Sequence, residues 1–221
     1  MTVELDDVQA KLVGAGRGGY CYEHGVLFAA VLERLGYSVD RLLARIGANQ
    51  DRPRPQSHMT LHVRAEGREW LADPGFGAGL LEPLPWEDAG PQRQGGWTYQ
   101  LVPRGECGWQ VIERHGHVHT PLYTFLVEPR QYSDVVVANY FTSTHPSSPF
   151  VGQVVIMRKD DASQLRLHGR RLTQLRPDGS ASEHELDDGE IATAVRDEFG
   201  LVLGRQEITE LLRCLPALTV T

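Results

Sequence analysis

The spacing of apolar residues predicts a helix in the first part of the chain. Over residues 22–35, hydrophobic side chains recur near the 3.6-residue period of a helix with one buried face. Gly36 follows where glycine commonly ends a helix, and Cys21 stands at the exposed start of this one. The apolar positions are Val26, Leu27, Ala30, Val31 and Leu35.

From residue 37 onward the chain changes to short runs of β-branched and aromatic residues separated by glycine and proline, which is typical of strands. Such a succession predicts a barrel or a strongly curved sheet. Residues 77–96 are rich in glycine and proline and carry mixed charge, so we expect a surface loop there. The predicted strands span residues 37–46, 58–65, 69–72, 97–102, 108–113 and 117–127.

The last third of the chain mixes helical and strand patterns. Asp187, with Glu190 three residues later, predicts a capping box that opens a helix, and Gly200 ends that helix. The predicted elements are a helix at 131–141, strands at 151–157 and within 165–175, a hairpin turn at 177–179, and helices at 187–200 and 205–215, the last of which buries Ile208, Leu211 and Leu212.

Composition narrows the class of protein. The 221 residues are 41% hydrophobic and 23% charged, as in globular proteins, and a formal net charge of −7 argues against a nucleic-acid partner. No apolar run approaches the roughly twenty residues that cross a bilayer, and the acidic N-terminus is unlike a signal region. Three scattered cysteines are too few for a disulfide framework, so we expect a reducing, cytoplasmic location.

Candidate chemistry centres on Cys21, which follows a diglycine turn and opens the first predicted helix. Unpaired backbone N–H groups and the positive end of the helix dipole favour a thiolate at such a position. His58 opens one predicted strand and Asp73 closes another. A Cys-His-Asp set makes a nucleophile because the imidazole takes the thiol proton while the carboxylate orients the ring. Each residue alone is weak support, since a buried cysteine is most often inert.

Four landmarks in one order are more specific than any single residue. Arg17-Gly18-Gly19-Tyr20-Cys21-Tyr22-Glu23 comes first, and His58 follows Cys21 by 37 residues. Asp73-Pro74-Gly75-Phe76-Gly77 begins 15 residues after His58, and Ser143-Thr144-His145-Pro146-Ser147-Ser148-Pro149-Phe150 comes last. In these motifs the chain resembles the arylamine N-acetyltransferases.

The resemblance extends from about Asp6 to the C-terminus and fades after about Lys159. The chain departs from the family at Gly25, where members usually have asparagine, and at Pro74, where they usually have valine. Only sixteen residues precede Arg17, whereas family members have a longer helical segment there. We therefore interpret the chain either as a naturally shortened member or as a sequence whose true start lies upstream of Met1.

The resemblance implies an α+β fold with a catalytic core like those of cysteine proteases and transglutaminases. A truncated helical N-terminal segment, residues 1–36, would carry the nucleophile. A central β-barrel-like domain would span residues 37–130, an interdomain helix and loop residues 131–150, and a C-terminal α/β lid residues 151–221.

The resemblance also implies an enzyme of xenobiotic metabolism that acetylates arylamines, hydrazines or arylhydroxylamines. Acetyl-CoA would acetylate Cys21, and the acceptor nitrogen would then attack the thioester in a ping-pong mechanism, with His58 as the base. Backbone N–H groups near Cys21 and Gly77 are expected to hold the oxyanion. Aromatic walls would bury the acceptor ring, although core packing also explains such residues. The implied substrate-binding residues are Tyr22, Phe76, Gly77 and Phe150.

Coenzyme A would be a co-substrate, and no metal is expected. Residues 14–19 are rich in glycine, but they lack the Lys-Ser/Thr ending and the preceding strand of a phosphate loop. The resemblance places coenzyme A near residues 143–150 without identifying its phosphate ligands. The sequence also leaves open the physiological acceptor, the acyl donor and whether the chain forms a homo-oligomer.

Other interpretations stay open on the residues alone. In a strand, His115, His117 and His119 would face one side and could bind zinc, as could His58 with His62, although a solvated hairpin end is the favoured interpretation. The order of the triad also fits a transglutaminase-like cysteine hydrolase, or an amide synthase that uses a larger acyl thioester. An inactive truncated homologue is a further alternative.

Overall fold

The computed structural model of the protein describes residues 1–47, 54–87, 90–106, 108–116 and 118–216. None of the helices in these ranges is both long and apolar enough to cross a membrane. The helices are α1 (Leu5–Gln9), a π-helical turn (Ala10–Gly14), α2 (Cys21–Arg34), α3 (Tyr132–Thr144), α4 (Asp188–Asp197) and α5 (Arg205–Arg213). The strands are β1 (Ser38–Ile46), β2 (His58–Ala65), β3 (Arg68–Ala72), β4 (Leu84–Pro85), β5 (Gln92–Gln94), β6 (Trp97–Arg104), β7 (Gly108–His115), β8 (Val118–Leu126), β9 (Val155–Lys159), β10 (Gln164–His168), β11 (Arg171–Leu175) and β12 (Ala181–Glu185).

Strands β1 to β8 form one antiparallel sheet in the order β4-β3-β2-β1-β8-β7-β6-β5. Strand β4 comes back against β6, so the sheet is nearly closed into a barrel, as the succession of short strands predicted. Alternate side chains of these strands point inward and fill the barrel. Its buried members include Leu42, Leu71, Leu84, Trp97, Tyr99, Val111, Tyr123 and Phe125.

Helix α2 packs on the outer face of β1 and β2. Its apolar side chains Tyr22, Val26 and Ala29 form a second core with side chains from the sheet. Gly36 has a φ of +91°, which confirms the predicted helix end. The predicted apolar face is wrong at Val31 and Leu35, which are exposed, whereas Phe28 and Leu32 pack against this core. The sheet side chains in this core are Leu43, Met59, Leu61, Val63 and Ala72.

The expected surface loop at residues 77–96 is wrong at residues 84–86 and 92–94. This part of the chain contains β4 and β5, and Leu84 is fully buried while Trp86 is nearly so. Gln94 is also buried, and its side-chain oxygen accepts a hydrogen bond from the backbone N–H of Leu81 at 2.8 Å. Glycine and proline shape the turns here, but the apolar residues between them belong to the barrel core.

A smaller antiparallel sheet follows, with its strands in the order β12-β11-β10-β9. Helix α4 packs on it, and the predicted capping box is confirmed by two reciprocal hydrogen bonds of 2.8 Å between Asp187 and Glu190. Strand β9 begins at Val155, later than predicted, because Gly152 turns the chain with a φ of +69°. In α5 the residues expected to be buried, Ile208, Leu211 and Leu212, are only half-buried.

The smaller sheet rests against one side of the barrel. Backbone and side-chain groups of residues 96 and 97 bond to the turn after β9: Gly96 N donates to Asp161 O at 2.8 Å, and Trp97 Nε1 donates to Asp160 O at 2.7 Å. A Cβ atom at Gly95 or Gly96 would come within 2.7 or 2.8 Å of Asp161, so glycine permits this close approach.

Candidate active site

Cys21 is the first residue of α2, and a buried carboxylate holds the turn before it. Glu23 Oε2 accepts a hydrogen bond from Tyr20 N at 3.1 Å, and its other oxygen lies 2.7 Å from Lys11 Nζ. The glutamate therefore caps the first turn of the helix. Cys21 itself is only 6% exposed, so the expected exposed start is wrong: the loop after β3 covers the cysteine.

The covering loop makes its closest approach at Gly75. A Cβ atom there would lie 2.5 Å from Cys21 Cα and 3.0 Å from Cys21 O, distances that no larger residue tolerates. Asp73 Oδ1 accepts hydrogen bonds from Gly75 N at 3.3 Å and Phe76 N at 3.1 Å. Asp73 thus stabilises the loop through which Gly75 contacts the start of α2.

His58 pairs with Asp73 close to the cysteine. Its Nε2 lies 2.7 Å from Asp73 Oδ2, and both side chains are buried. The Cys21 thiol is close enough to the ring to affect its pKa, and its Sγ donates to the Ser57 carbonyl oxygen at 3.8 Å. Burial opposes protonation of the ring, but the Asp73 carboxylate, the hydrogen bond to it and the nearby Cys21 thiol outweigh burial and raise the pKa of His58 to about 10.

Two aromatic rings enclose the His58 imidazole. The Phe76 ring centroid lies 5.0 Å from it, and that of Tyr123 on β8 lies 4.8 Å from it. Burial, followed by the nearby Asp73 carboxylate, raises the pKa of Tyr123 well above its usual value, so this tyrosine stays neutral. The site is therefore largely closed to water around the histidine.

Not all of the predicted substrate-binding residues are accessible to a substrate. Phe76 and Phe150 are half-buried and Gly77 is exposed, whereas Tyr22 is fully buried and donates its hydroxyl to Gln56 O at 3.2 Å. Tyr20 lies between two of these rings, 5.4 Å from Tyr22 and 6.1 Å from Phe150. Its hydroxyl also donates to the Asn139 side chain of α3.

Sequence reasoning missed several supporting residues. Glu23 stands three residues after the N-cap Tyr20, the position from which a glutamate reaches back to the N-cap N–H, and this spacing is the signal that could have identified it. Tyr123 carried no signal, since an aromatic residue in a strand is ordinarily core. Arg17, the first residue of the cysteine motif, pairs with Glu207 of α5 across the molecule, a contact that no local pattern indicates.

The structure brings together no metal ligands in the ranges it describes. No group of three or more histidine, cysteine or acidic side chains there could hold an ion. His115 Nδ1 lies 3.1 Å from Pro177 O, and His62 stacks on Trp86, while His117 lies outside the described residues. Cys21 and Cys214 are free thiols.

A cysteine at a helix start, close to a histidine that is paired with an aspartate, is an arrangement found in enzymes with a thiolate nucleophile. Comparison with known proteins narrows this class. A family profile described as N-acetyltransferase matches residues 1–208, well beyond the point where the motifs fade, and the chain belongs to the arylamine N-acetyltransferase family.

Individual relatives are similar to this protein over most of its length. The arylamine N-acetyltransferase of Mycolicibacterium smegmatis is 37% identical over 203 residues, which are 88% of this chain and 73% of the relative. The enzyme structure from Mycobacterium abscessus matches with a TM-score of 0.89 at 32% identity, covering 97% of this chain and 78% of that one. A Mycobacterium marinum structure in complex with CoA matches with a TM-score of 0.86 at 32% identity, covering 97% and 83%.

A shorter match joins the chain to a synthase. Proansamycin X synthase of Amycolatopsis mediterranei (strain S699) is 35% identical over 136 residues, which are 60% of this chain and 51% of the synthase.

Proposed function

We propose that this protein transfers an acetyl group from acetyl-CoA to an arylamine, hydrazine or arylhydroxylamine through a thioester on Cys21. The observation that carries the proposal is the His58–Asp73 pair, 2.7 Å apart and buried, beside a cysteine at the start of α2. The relative from Mycobacterium marinum that was solved with CoA supports a CoA thioester as donor.

In the first half-reaction, His58 takes the Cys21 proton and keeps it, because its raised pKa favours the imidazolium. The thiolate attacks the acetyl carbonyl, forming the new C–S bond. The C–S bond to CoA then breaks, and CoA leaves as the thiol with the proton from His58. Backbone N–H groups at the start of α2 and near Gly77 are the proposed donors to the oxyanion.

In the second half-reaction, the acceptor nitrogen attacks the acetyl carbon of the thioester. His58, now neutral, takes a proton from the nitrogen as the Cys21 sulfur leaves, and the resting pair is restored. Phe76 is the best-placed wall for an aromatic acceptor because its ring is half-buried and lies against His58. We assign Gly77 and Phe150 to the same site, and Tyr22 to support beneath it.

The proposal includes the architecture. A helix-borne cysteine facing a histidine on one strand and an aspartate after the next is the core expected of cysteine proteases and transglutaminases. We divide the chain into the helical segment 1–36, the barrel 37–130, the connection 131–150 and the lid 151–221. Cytoplasmic location and homo-oligomerisation stay predictions.

Intact-mass measurement tests the function directly. Incubation with acetyl-CoA and no acceptor should add one acetyl group to the wild type and none to Cys21→Ser, and an arylamine should discharge the adduct. Absence of an adduct with any acyl-CoA would overturn the proposal. Labelling only by larger acyl thioesters would favour an amide synthase, the alternative to which the synthase match gives some support. Discharge by water as fast as by amine would favour a hydrolase.

A further inference from the structure

Lys159, the last residue of β9, places its ammonium group inside the protein although it belongs to the smaller sheet. The side chain is 4% exposed, and Nζ lies 2.6 Å from Glu113 Oε1 of β7. The ammonium also lies over the Trp97 ring, 3.7 Å from its centroid, and 5.1 Å from that of Tyr99. A buried ion pair of this kind is weak support for stability, so the other contacts of the ammonium group are the guide to its role.

The third contact of the ammonium is with the active-site loop. Lys159 Nζ donates to Ala78 O at 3.0 Å, in the loop of residues 74–79 that we call the aspartate loop. Tyr99 from β6 donates its hydroxyl to the next carbonyl, Gly79 O, at 2.8 Å. Two donors from outside the loop therefore hold its far end, whereas Asp73 holds its near end through Gly75 N and Phe76 N.

Strand β9 also presses directly on this loop. A Cβ atom at Gly77 would lie 2.8 Å from Met157 Cβ, so the loop backbone and the strand are already in contact. Phe76, whose backbone N–H belongs to the near end and whose ring faces His58, and Gly77 connect the two ends. A displacement of Ala78 would therefore be passed on to Gly77 and Phe76, whereas the His58–Asp73 hydrogen bond is made outside residues 74–79.

We propose that Lys159 is a positioning residue, which sets the aspartate loop through the Ala78 carbonyl so that Phe76 and Gly77 face the acyl group on Cys21. This inference rests on the proposed acetyl transfer and deepens it. A positioning role for Lys159 predicts that two steps respond differently to substitution. Formation of the reactive thiol should depend on His58 and Asp73, whereas delivery of the acyl group to the acceptor should also depend on Lys159.

The test compares two double variants that differ only in a donor at position 159. Lys159→Gln keeps an N–H donor without the charge, and Lys159→Met keeps a stem of similar length with no donor. Both are made with Glu113→Gln so that no carboxylate is left buried alone. Arg158→Met, which removes the neighbouring cation of β9 that donates to Glu198 O, is the matched control.

Three rates are measured: alkylation of Cys21 by iodoacetamide, acetylation by acetyl-CoA, and discharge of the acetyl-enzyme by an arylamine. We expect alkylation near the wild-type rate in all variants, and kcat/KM for the acceptor to fall about 10–100-fold in the methionine variant. The glutamine variant should recover part of that loss, and Arg158→Met should lose none.

Equal discharge rates in the glutamine and methionine variants, or discharge at the wild-type rate in both, would overturn the positioning role. Alkylation and discharge that fall by the same factor would show general disruption and overturn it as well. If the methionine variant does not fold, the glutamine variant is compared with Arg158→Met instead. Equal discharge rates in these two variants, or an equal fall of alkylation and discharge in the glutamine variant, would then overturn the positioning role. Failure of the proposed function is distinguishable, because the wild type would then form no acetyl adduct at all.

Discussion

The two histidines of strand β2 lie on the same inward face of the barrel, yet their surroundings differ in kind. His58 and His62 are both almost completely buried, at 1% and 3% exposure. At His58 the Asp73 carboxylate, 2.7 Å away, outweighs burial and raises the pKa to about 10. At His62 burial outweighs the carboxylates, and the pKa is lowered.

Distance and direction explain the difference. The carboxylates nearest His62 are Asp40 of β1 and Glu69 of β3, at 3.7 and 3.6 Å, beyond direct hydrogen-bond distance, and Arg64 adds an opposing positive charge. Neither nitrogen of His62 has a hydrogen-bond partner among the described residues. Its ring instead stacks on Trp86 with centroids 3.9 Å apart. About 1 Å of separation, together with a directed bond, thus divides a candidate catalytic base from a packing residue.

Removing the charge of Asp73 should have the largest effect, because this carboxylate is what distinguishes the surroundings of His58 from those of His62. We expect Asp73→Asn to slow acetylation of Cys21 by about 10³–10⁴-fold, because an amide neither stabilises the imidazolium nor fixes the ring tautomer. In the wild type, the raised pKa of His58 should keep Cys21 alkylation nearly constant from pH 6 to 8. In the variant, the alkylation rate should fall as the pH falls.

Peptide mapping is needed in that experiment because Cys107 and Cys214 can also be alkylated. His58→Gln serves as the companion variant, and it should show the same pH dependence, since neither variant can form a stable thiolate–imidazolium pair at neutral pH. A flat alkylation profile in Asp73→Asn would contradict the assignment of this aspartate.

The lowered pKa of His62 should affect the stability of the protein instead of its reactivity, and by a smaller amount. Its folded pKa lies below the unfolded value of about 6.5, so the unfolded chain binds more protons as the pH falls. The stability contribution is therefore complete above pH 6.5 and is lost as the pH falls below it. One such group changes stability by at most about 1.4 kcal/mol per pH unit.

Urea unfolding at pH 7.5 and pH 5.5 measures this linkage. We expect His62→Gln to lose less stability between these pH values than the wild type does, while acetylation of Cys21 continues at pH 7.5. Asp40, Arg64 and Glu69 face the same ring, so Arg64→Gln is the control for their contribution. An equal pH dependence in wild type and His62→Gln would show that another group is responsible.

The contrast also shows what the sequence can and cannot predict. The sequence predicts Cys21, His58 and Asp73 as candidates because their motifs are local and ordered along the chain, and it predicts the strands because alternation is a local property. Which of two inward histidines meets a carboxylate depends instead on strand register and on the loop after β3. The Lys159–Glu113 pair and the Tyr123 ring likewise join segments that are distant in sequence. Trp86 was misjudged because its glycine- and proline-rich surroundings concealed a core position.

The smallest effect is expected from a substitution in α2 that contacts the outer face of β2. Met59 follows His58 and packs against α2, where a Cβ atom at Gly25 would lie 2.3 Å from its terminal methyl carbon. Gly25→Ala should raise helix propensity by about 1 kcal/mol, and the methionine tip is flexible enough to move, so we expect a net change in stability within about 1 kcal/mol. Alkylation of Cys21 should stay close to the wild-type rate. Adding Met59→Leu, which removes the crowded methyl carbon, should show the propensity gain alone. If Gly25→Ala slowed alkylation as severely as Asp73→Asn, α2 itself would have shifted, and the distance of the cysteine from His58 would depend on this glycine.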